Sequence, residues 1–144
     1  MTELLLGRIL IATDGSEKNR AALDEGIKIA RACGSVVYAV YVIDTGTTFS
    51  SMSGEIPHGD TYGLYKTEAE QAFTRIQSLA GEVKVETSIL EGRPAAEIVK
   101  YAVSKKIDMV VIGTQGKKGL ERLLLGSVAE EIIRSAPCKV LVVK

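Results

Sequence analysis

The chain has few of the side chains that most often carry enzyme chemistry. Its 144 residues include one histidine, two cysteines and no tryptophan. Because His58 lies in a polar stretch, a Ser-His-Asp or Cys-His arrangement is disfavoured. Cys33 and Cys138 are too few for the disulfide framework of a small secreted domain. We therefore expect reduced thiols that serve as small packing residues, and no catalytic set.

The chain also lacks an excess of charge of either sign and any long apolar run. Eighteen basic residues balance 18 acidic ones, so no overall field attracts nucleic acid or an acidic membrane. No apolar run approaches the roughly 18 residues of a membrane span, and Glu3 stands where a signal peptide requires basic residues. We expect a soluble, cytoplasmic protein with no nucleic-acid or membrane partner, in which any anion site is local.

Apolar side chains make up 46% of the residues, and they form strand-sized runs that alternate with helical patterns. The strands are predicted at residues 8–13, 36–43, 83–90, 107–112 and 139–143. Helices are predicted from an N-cap at Ser16 to Gly34, at 64–79, from Pro94, and at 127–134. This alternation indicates one α/β domain, residues 1–144, with a doubly wound, mostly parallel sheet and helices on both faces. Residues 44 to about 63 are predicted to form a mobile loop.

Helical spacing also predicts which side chains face the core. The predicted inward residues are Ala21, Ala22, Leu23, Ile27 and Ala30 in the first helix, Ala69, Ala72, Phe73, Ile76 and Leu79 in the second, and Ile98, Val99, Ala102 and Val103 in the third. In the third strand, apolar and polar residues alternate, which predicts a half-exposed strand at an edge of the sheet.

The segment from Gly113 to Ser127 is the most informative for function. It joins a buried strand to a helix start and contains Gly113, Gly116, Gly119 and Gly126. Ligands of open α/β sheets bind beyond the carboxyl ends of strands, and glycine lets backbone N–H groups approach a phosphate. A helix dipole contributes only about 0.3–1 kcal/mol, whereas a hydrogen bond to a charged group contributes about 1.5–3 kcal/mol. A phosphate site here would therefore need several converging N–H groups.

The same residues have a purely structural interpretation, which the spacing leaves open. Gly113 and Gly116 could form turns, and Ser127 with Glu130 fits a capping box. The loop does not match the P-loop pattern, and the first strand lacks the dinucleotide-binding fingerprint. A hydride-transfer enzyme is therefore disfavoured.

The loop resembles the ATP-binding signature of the universal stress protein family. In that signature two residues separate the first two glycines, nine more precede a third glycine, and serine or threonine follows. Gly113, Gly116, Gly126 and Ser127 fill every fixed position. Residues 9–16, 123–130 and 136–143 are also typical of the family, so the resemblance covers nearly the whole chain except residues 44–63.

The resemblance implies a binding site for ATP, with Mg²⁺ or Mn²⁺ bridging phosphate oxygens and no side-chain cage for the metal. Asp14 would hold the ribose hydroxyls. Alternatively, it could bind a metal together with the phosphates, or it could be an ordinary turn residue. The backbone of Val42 would contact the adenine, and Ala12 and Thr13 would line the pocket. The residues implied to hold the triphosphate are Gly113, Gly116, Gly126, Ser127 and Val128.

The family's fold is Rossmann-like, with strand order 3-2-1-4-5, so the resemblance implies a fifth strand at one edge. In the family this strand commonly pairs with its twofold mate, which implies a homodimer through Val140, Leu141, Val142 and Val143. Burial of these residues within the monomer is the alternative.

The resemblance favours an ATP-dependent regulatory or stress-response switch over an enzyme. Two alternatives remain: a slow ATP hydrolase or self-phosphorylating protein, for which only Ser127 or Thr114 is available, and a dimeric interaction module with an unused pocket. Thr114 and Gln115 replace a serine and a histidine that are frequent in the family, and Ala12 replaces proline or valine. We therefore expect no activity that requires a histidine in the loop.

Overall fold

The computed structural model describes residues 5–15, 19–45, 59–114 and 125–144, which form a Rossmann-like α/β fold. Its sheet has five strands in the order β3-β2-β1-β4-β5, and all four strand pairings are parallel. The strands are β1 (Arg8–Thr13), β2 (Val36–Asp44), β3 (Val85–Gly92), β4 (Met109–Gly113) and β5 (Lys139–Val143). The predicted fold class and strand order are therefore confirmed.

Helices connect consecutive strands in the described residues: α1 (Arg20–Cys33), α2 (Gly59–Ala80), α3 (Pro94–Ser104) and α4 (Ser127–Ser135). The predicted helix stop and start residues are observed. Gly34 ends α1 in the left-handed conformation at φ 69°, and Pro94 lies in the first turn of α3. None of the described helices is long and apolar enough to cross a membrane.

Helix α2 begins at Gly59, so residues 59–63 are helical and their assignment to the mobile loop was wrong. Residues 46–58 of that predicted loop lie outside the described residues. The predicted N-cap Ser16 also lies outside them, and Asn19 occupies the N-cap position of the described helix α1.

The helices cover both faces of the sheet, as predicted. One core cluster joins α1 and α2 to the face that includes Ile9, Ile11 and Tyr41. The other joins α3 and α4 to the opposite face, which includes Leu10, Ala12 and Val40. The connecting helix moves to the opposite face of the sheet at α3, which links β3 to β4. Strands β2 and β3 lie on one side of β1, and β4 and β5 lie on its other side. The β1–β4 boundary is therefore the topological switch point at which open α/β sheets bind ligands.

Strands β3 and β4 begin two residues later than their patterns predicted. The Val83 N–H bonds to the Ala80 carbonyl at 3.0 Å, and the Ile107 N–H bonds to the Ala102 carbonyl at 3.0 Å. Val83 and Ile107 therefore belong to the turns that end α2 and α3. Apolarity alone did not distinguish such turn residues from the first residue of a strand.

Three residues predicted to face the core are exposed: Ala21, Leu79 at 42% and Val103 at 61%. The buried stripes instead contain small residues, Gly26, Ala80 and Ala95. An added Cβ at Gly26 would lie 2.6 Å from Ile11 Cδ1, so α1 approaches the sheet where a side chain is absent. The predicted stripes are therefore slightly displaced around the helices from the buried ones.

Candidate functional site at the carboxyl ends of β1, β2 and β4

The register of the sheet places the predicted site residues at one level. Thr13 pairs with Tyr41 on β2. On the other side of β1, Ile11 pairs with Val111, so Gly113, two residues further along, stands at the level of Thr13. Neighbouring strands lie about 4.8 Å apart. The carboxyl ends of β2, β1 and β4 therefore lie side by side on one side of the sheet, and the switch point lies between β1 and β4.

The chain turns sharply where β1 ends. Thr13 is buried, and its Oγ1 accepts a hydrogen bond from the Gly15 N–H at 3.1 Å. Gly15 has φ 79°, a left-handed conformation that disfavours any residue with a side chain. Asp14 lies between these two residues and is half-buried. The turn therefore holds the Asp14 backbone at the end of β1, next to the switch point.

Two backbone hydrogen bonds bring the ends of the glycine-rich loop together. The Thr114 N–H bonds to the Val143 carbonyl at 3.2 Å, and the Gly126 N–H bonds to the Thr114 carbonyl at 2.8 Å. The first bond extends the β4–β5 ladder by one residue, and the second attaches the start of α4 to the end of β4. Gly113 and Gly126 thereby lie close together, although the sequence separates them by the whole loop.

Helix α4 presents its amino end at this point. Gly126 is the N-cap residue, and its carbonyl accepts the first helical hydrogen bond, from the Glu130 N–H at 3.0 Å. Within an α-helix the first N–H groups have no acceptor, which leaves those of Ser127, Val128 and Ala129 for another partner. Such a set of donors at the positive end of a helix suits an anion, and phosphate above all.

The capping box, one of the two interpretations that the sequence left open, is not formed. Ser127 is the first helical residue rather than the N-cap, and Glu130 Oε1 accepts a hydrogen bond from the Arg134 guanidinium at 3.0 Å. This pairing also offsets the negative charge that Glu130 places in the first turn. Both side chains are more than half exposed, so the offset is modest in water.

An apolar wall adjoins the amino end of α4. Ala12 of β1, the half-buried Val42 of β2 and Ala129 of α4 belong to the same core cluster. These side chains therefore line the α3–α4 side of the sheet edge. Such a surface suits the face of a flat heterocycle, because ligand pockets combine apolar walls with a few directed polar groups.

The structure thus brings together all the predicted site residues that it describes. Ala12, Thr13 and Asp14 come from β1 and its turn, Val42 from the end of β2, and Gly113 from the end of β4. Gly126, Ser127 and Val128 form the start of α4. Gly116, the remaining predicted residue, lies outside the described residues.

Two further residues at this edge were missed by sequence reasoning. The Tyr41 hydroxyl donates a hydrogen bond to Glu68 Oε1 of α2 at 3.1 Å, and an added Cβ at Gly15 would lie 2.6 Å from that same oxygen. Glu68 therefore packs directly against the turn after β1, on the α1–α2 side. No local pattern could identify it, because a glutamate on a helix is ordinarily a solvent-exposed residue.

Among the described residues, no group of three or more His, Cys, Asp or Glu side chains could hold a metal ion. Cys33 is exposed, so its prediction as a packing residue was wrong. Cys138 is half-buried against the α3–α4 core, and this burial raises the pKa of its thiol.

The chain is similar to proteins of one known family. Residues 6–144 match the model of the universal stress protein family. The chain belongs to the universal stress protein family. Among its relatives, the universal stress protein MJ0531 of Methanocaldococcus jannaschii is 45% identical over 144 residues, an alignment that covers 99% of this chain and 84% of that protein.

Solved structures of universal stress proteins share the architecture. The protein UspA from Lactobacillus plantarum has a TM-score of 0.76 and 26% identity, and the match covers 96% of this chain and 98% of that one. Another universal stress protein, solved in complex with cAMP, has a TM-score of 0.70 and 25% identity, with 96% of each chain covered. The family that the sequence resembles and the predicted α/β fold are therefore both confirmed.

Proposed function

We propose that this universal stress protein binds ATP, together with Mg²⁺ or Mn²⁺, at the switch point of its sheet and acts as a nucleotide-dependent regulatory switch rather than as an enzyme. The observation that carries the proposal is the 2.8 Å hydrogen bond from the Gly126 N–H to the Thr114 carbonyl. It places the amino end of α4 beside the end of β4, where phosphate-binding N–H groups would have to lie.

The phosphates are assigned to the start of α4. The N–H groups of Ser127, Val128 and Ala129 point away from the helix body at its positive end. If two or three of them donate to phosphate oxygens, each contributes about 1.5–3 kcal/mol, which exceeds the dipole contribution. Gly113 and Gly126 leave the backbone on both sides of this position without side chains. The signature assigns Gly116 to the same site, but Gly116 lies outside the described residues.

The nucleoside is assigned to the ends of β1 and β2. Ala12 and Val42 form the apolar wall for the adenine. The backbone of Val42 lies near the carboxyl end of β2, where it could form a hydrogen bond with the adenine ring. The carboxylate of Asp14 accepts hydrogen bonds from two adjacent ribose hydroxyls, which both act as donors. Thr13 supports this arrangement from below, because its hydroxyl fixes the turn that carries Asp14.

A bound metal would neutralise part of the phosphate charge. Mg²⁺ and Mn²⁺ prefer oxygen ligands, and Mg²⁺ is commonly held by substrate phosphates with one or two carboxylates. Asp14 is the nearby candidate from this chain. The donor set of N–H groups and one carboxylate therefore fits a metal–nucleotide complex.

The relatives support an adenine nucleotide as the ligand. The universal stress protein in complex with cAMP shows that a chain of this fold, 25% identical to this one, accommodates adenosine with a phosphate. We assign ATP in particular to this chain because its Gly113, Gly126 and Ser127 keep the fixed spacing of the ATP-binding signature. A cytoplasmic location, where ATP is abundant, follows from the same proposal.

The proposal is tested by isothermal calorimetry with Gly126→Val. Gly126 has φ −66° and ψ 158°, an extended conformation that valine adopts readily, so the backbone tolerates the change. The branched side chain would stand where the phosphate must lie, and we expect ATP affinity to fall at least a hundredfold. Ser135→Val, at the opposite end of the same helix, is the control and should bind like the wild type.

One calorimetric result would refute the assignment of the phosphates. Equal affinity in the wild type and Gly126→Val would show that the nucleotide does not lie at the start of α4. A chromatographic assay of the same samples separates a switch from an enzyme, because a switch leaves ATP intact over hours whereas a hydrolase accumulates ADP.

We also propose that the chain forms a homodimer through the free edge of β5. The strand order places β5 at an edge, and apolar edge strands promote association. Val140 and Val142 pack against the α3–α4 core, whereas Leu141 and Val143 pack against the α1–α2 core. These side chains therefore pack within the monomer. In the proposed dimer, the backbone N–H and C=O groups along the outer side of β5 would pair with β5 of the second chain.

Sedimentation equilibrium on the unmodified chain tests the dimer. We expect a mass near twice 15.4 kDa at micromolar concentration. A mass that remains at one chain over the whole accessible concentration range would refute the dimer, and it would leave the nucleotide site intact. The test uses the unmodified chain because Val142 also packs within the monomer, so a substitution there would disturb the fold as well as the strand edge.

A further inference from the structure

The side chain of Glu68 packs against the turn that carries Asp14. An added Cβ at Gly15 would lie 2.6 Å from Glu68 Oε1 and 2.8 Å from Glu68 Cγ. Real Cβ atoms do not approach other atoms so closely, so the Glu68 side chain fills the space that any side chain at position 15 would need. The contact joins α2 to the turn after β1.

Glu68 is itself held in place. The buried Tyr41, which is 2% exposed, donates a hydrogen bond from its hydroxyl to Glu68 Oε1 at 3.1 Å. Because Tyr41 pairs with Thr13 across the β1–β2 ladder, the tyrosine and the turn stand on the same rigid part of the sheet. Glu68 therefore bridges a fixed tyrosine and the backbone of Gly15.

Asp14 is restrained between two anchors as a result. On one side, the Gly15 N–H bonds to Thr13 Oγ1 at 3.1 Å. On the other side, Glu68 blocks movement of Gly15 towards α2. A carboxylate that recognises two ribose hydroxyls must be held within a fraction of an ångström, and a left-handed glycine turn is otherwise among the most flexible backbone segments.

We infer that Glu68, oriented by Tyr41, is a positioning residue that fixes the Asp14–Gly15 turn for recognition of the ribose hydroxyls. It acts through Gly15 and does not contact the nucleotide. This inference rests on the proposed nucleotide site and adds to it a specificity determinant outside the glycine-rich signature. Helix α2 is thereby coupled to the state of the site.

The experiment compares the affinities for ATP and for 2′,3′-dideoxy-ATP, which lacks both ribose hydroxyls. We expect the wild type to prefer ATP by about tenfold or more, the equivalent of one hydrogen bond to a charged group. Asp14→Ala should abolish this preference. Glu68→Ala should reduce it to about threefold or less, because the turn then loses its support.

Conservative variants and a matched control separate positioning from general destabilisation. Glu68→Gln keeps the acceptor for Tyr41 and the side-chain volume beside Gly15, so it should retain the preference of the wild type. Tyr41→Phe removes only the hydroxyl that orients Glu68 and should give an intermediate preference. Glu70→Ala removes an exposed carboxylate from the same helix and should change nothing.

The outcomes are distinguishable. If Glu68→Ala weakens both nucleotides equally and the preference persists, Glu68 is merely structural and the inference is overturned while the nucleotide site stands. If the wild type binds neither nucleotide, the proposed function fails and the inference fails with it. If Glu68→Ala does not fold, Tyr41→Phe decides, and an unchanged preference in that variant overturns the inference.

Discussion

The contact between Glu68 and Gly15 can be tested without any ligand, by adding one methyl group at two glycines. Gly15 and Gly34 both have left-handed backbones, with φ 79° and 69°. Their surroundings differ, because an added Cβ at Gly34 meets nothing within 4 Å, whereas at Gly15 it meets Glu68. Gly34→Ala therefore measures the cost of the backbone conformation alone.

The magnitudes follow from these surroundings. A left-handed conformation costs an alanine about 1–2 kcal/mol of the free energy of unfolding, and both substitutions should show this loss. Gly15→Ala must also displace Glu68 and its hydrogen bond with Tyr41, which adds about 0.5–1.5 kcal/mol. We expect Gly15→Ala to be the more destabilising by about 1 kcal/mol.

The measurement is urea denaturation of the wild type, the two glycine variants, Glu68→Ala and the Gly15→Ala/Glu68→Ala double variant. In the Glu68→Ala background the extra loss at Gly15 should disappear, since the clash and the hydrogen bond are both gone. The reasoning is refuted if Gly15→Ala and Gly34→Ala cost the same, or if Gly15→Ala costs as much with Glu68 removed as with it present.

Two other predictions concern the α4 and cysteine regions. Ile132 is fully buried, whereas Ile133 is 44% exposed. Ile132→Ala should therefore lower the free energy of unfolding by about 2–5 kcal/mol, and Ile133→Ala should lower it by about 1 kcal/mol or less. Equal losses in denaturant titrations would contradict the packing of α4. Burial raises the pKa of Cys138, which lowers its thiolate fraction at a given pH, so iodoacetamide should alkylate the exposed Cys33 faster than Cys138. Mass spectrometry would measure both rates, with urea-unfolded protein as the control, and faster labelling of Cys138 in the folded protein would be inconsistent with its burial.

The sequence predicted the sheet well because its signals are redundant there. β5 was predicted at its observed bounds, and the alternation in β3 correctly indicated an edge strand. The starts of β3 and β4 were predicted two residues too early, because an apolar residue can belong either to a strand or to the turn before it. Val83 and Ile107 are as apolar as strand residues, but their N–H groups complete the turns after α2 and α3. Such bonds depend on where the preceding helix ends, which apolar periodicity does not define.

The candidate site was predictable only in part, for a similar physical reason. The glycines could be proposed because their spacing along the chain is itself the signal, and Asp14 could be proposed because residues 9–16 resemble the same segment of the family. Glu68 and Tyr41 could not, because their contact with Gly15 depends on how α2 packs across β1 and β2. The predicted capping box at Ser127 likewise did not foresee that Gly126 is the N-cap and that its N–H bonds to the distant Thr114 carbonyl.

The central claim is that backbone N–H groups at the start of α4 receive the phosphates of ATP. An NMR titration of ¹⁵N-labelled protein with Mg²⁺–ATP tests it most directly, since each amide reports on its own surroundings. We predict saturable shifts of the Ser127, Val128 and Ala129 amides, together with those of Asp14 and Gly15, while amides at the opposite end of the sheet, such as Arg8 and Lys139, stay in place. Unshifted α4 amides at saturating nucleotide would contradict the claim.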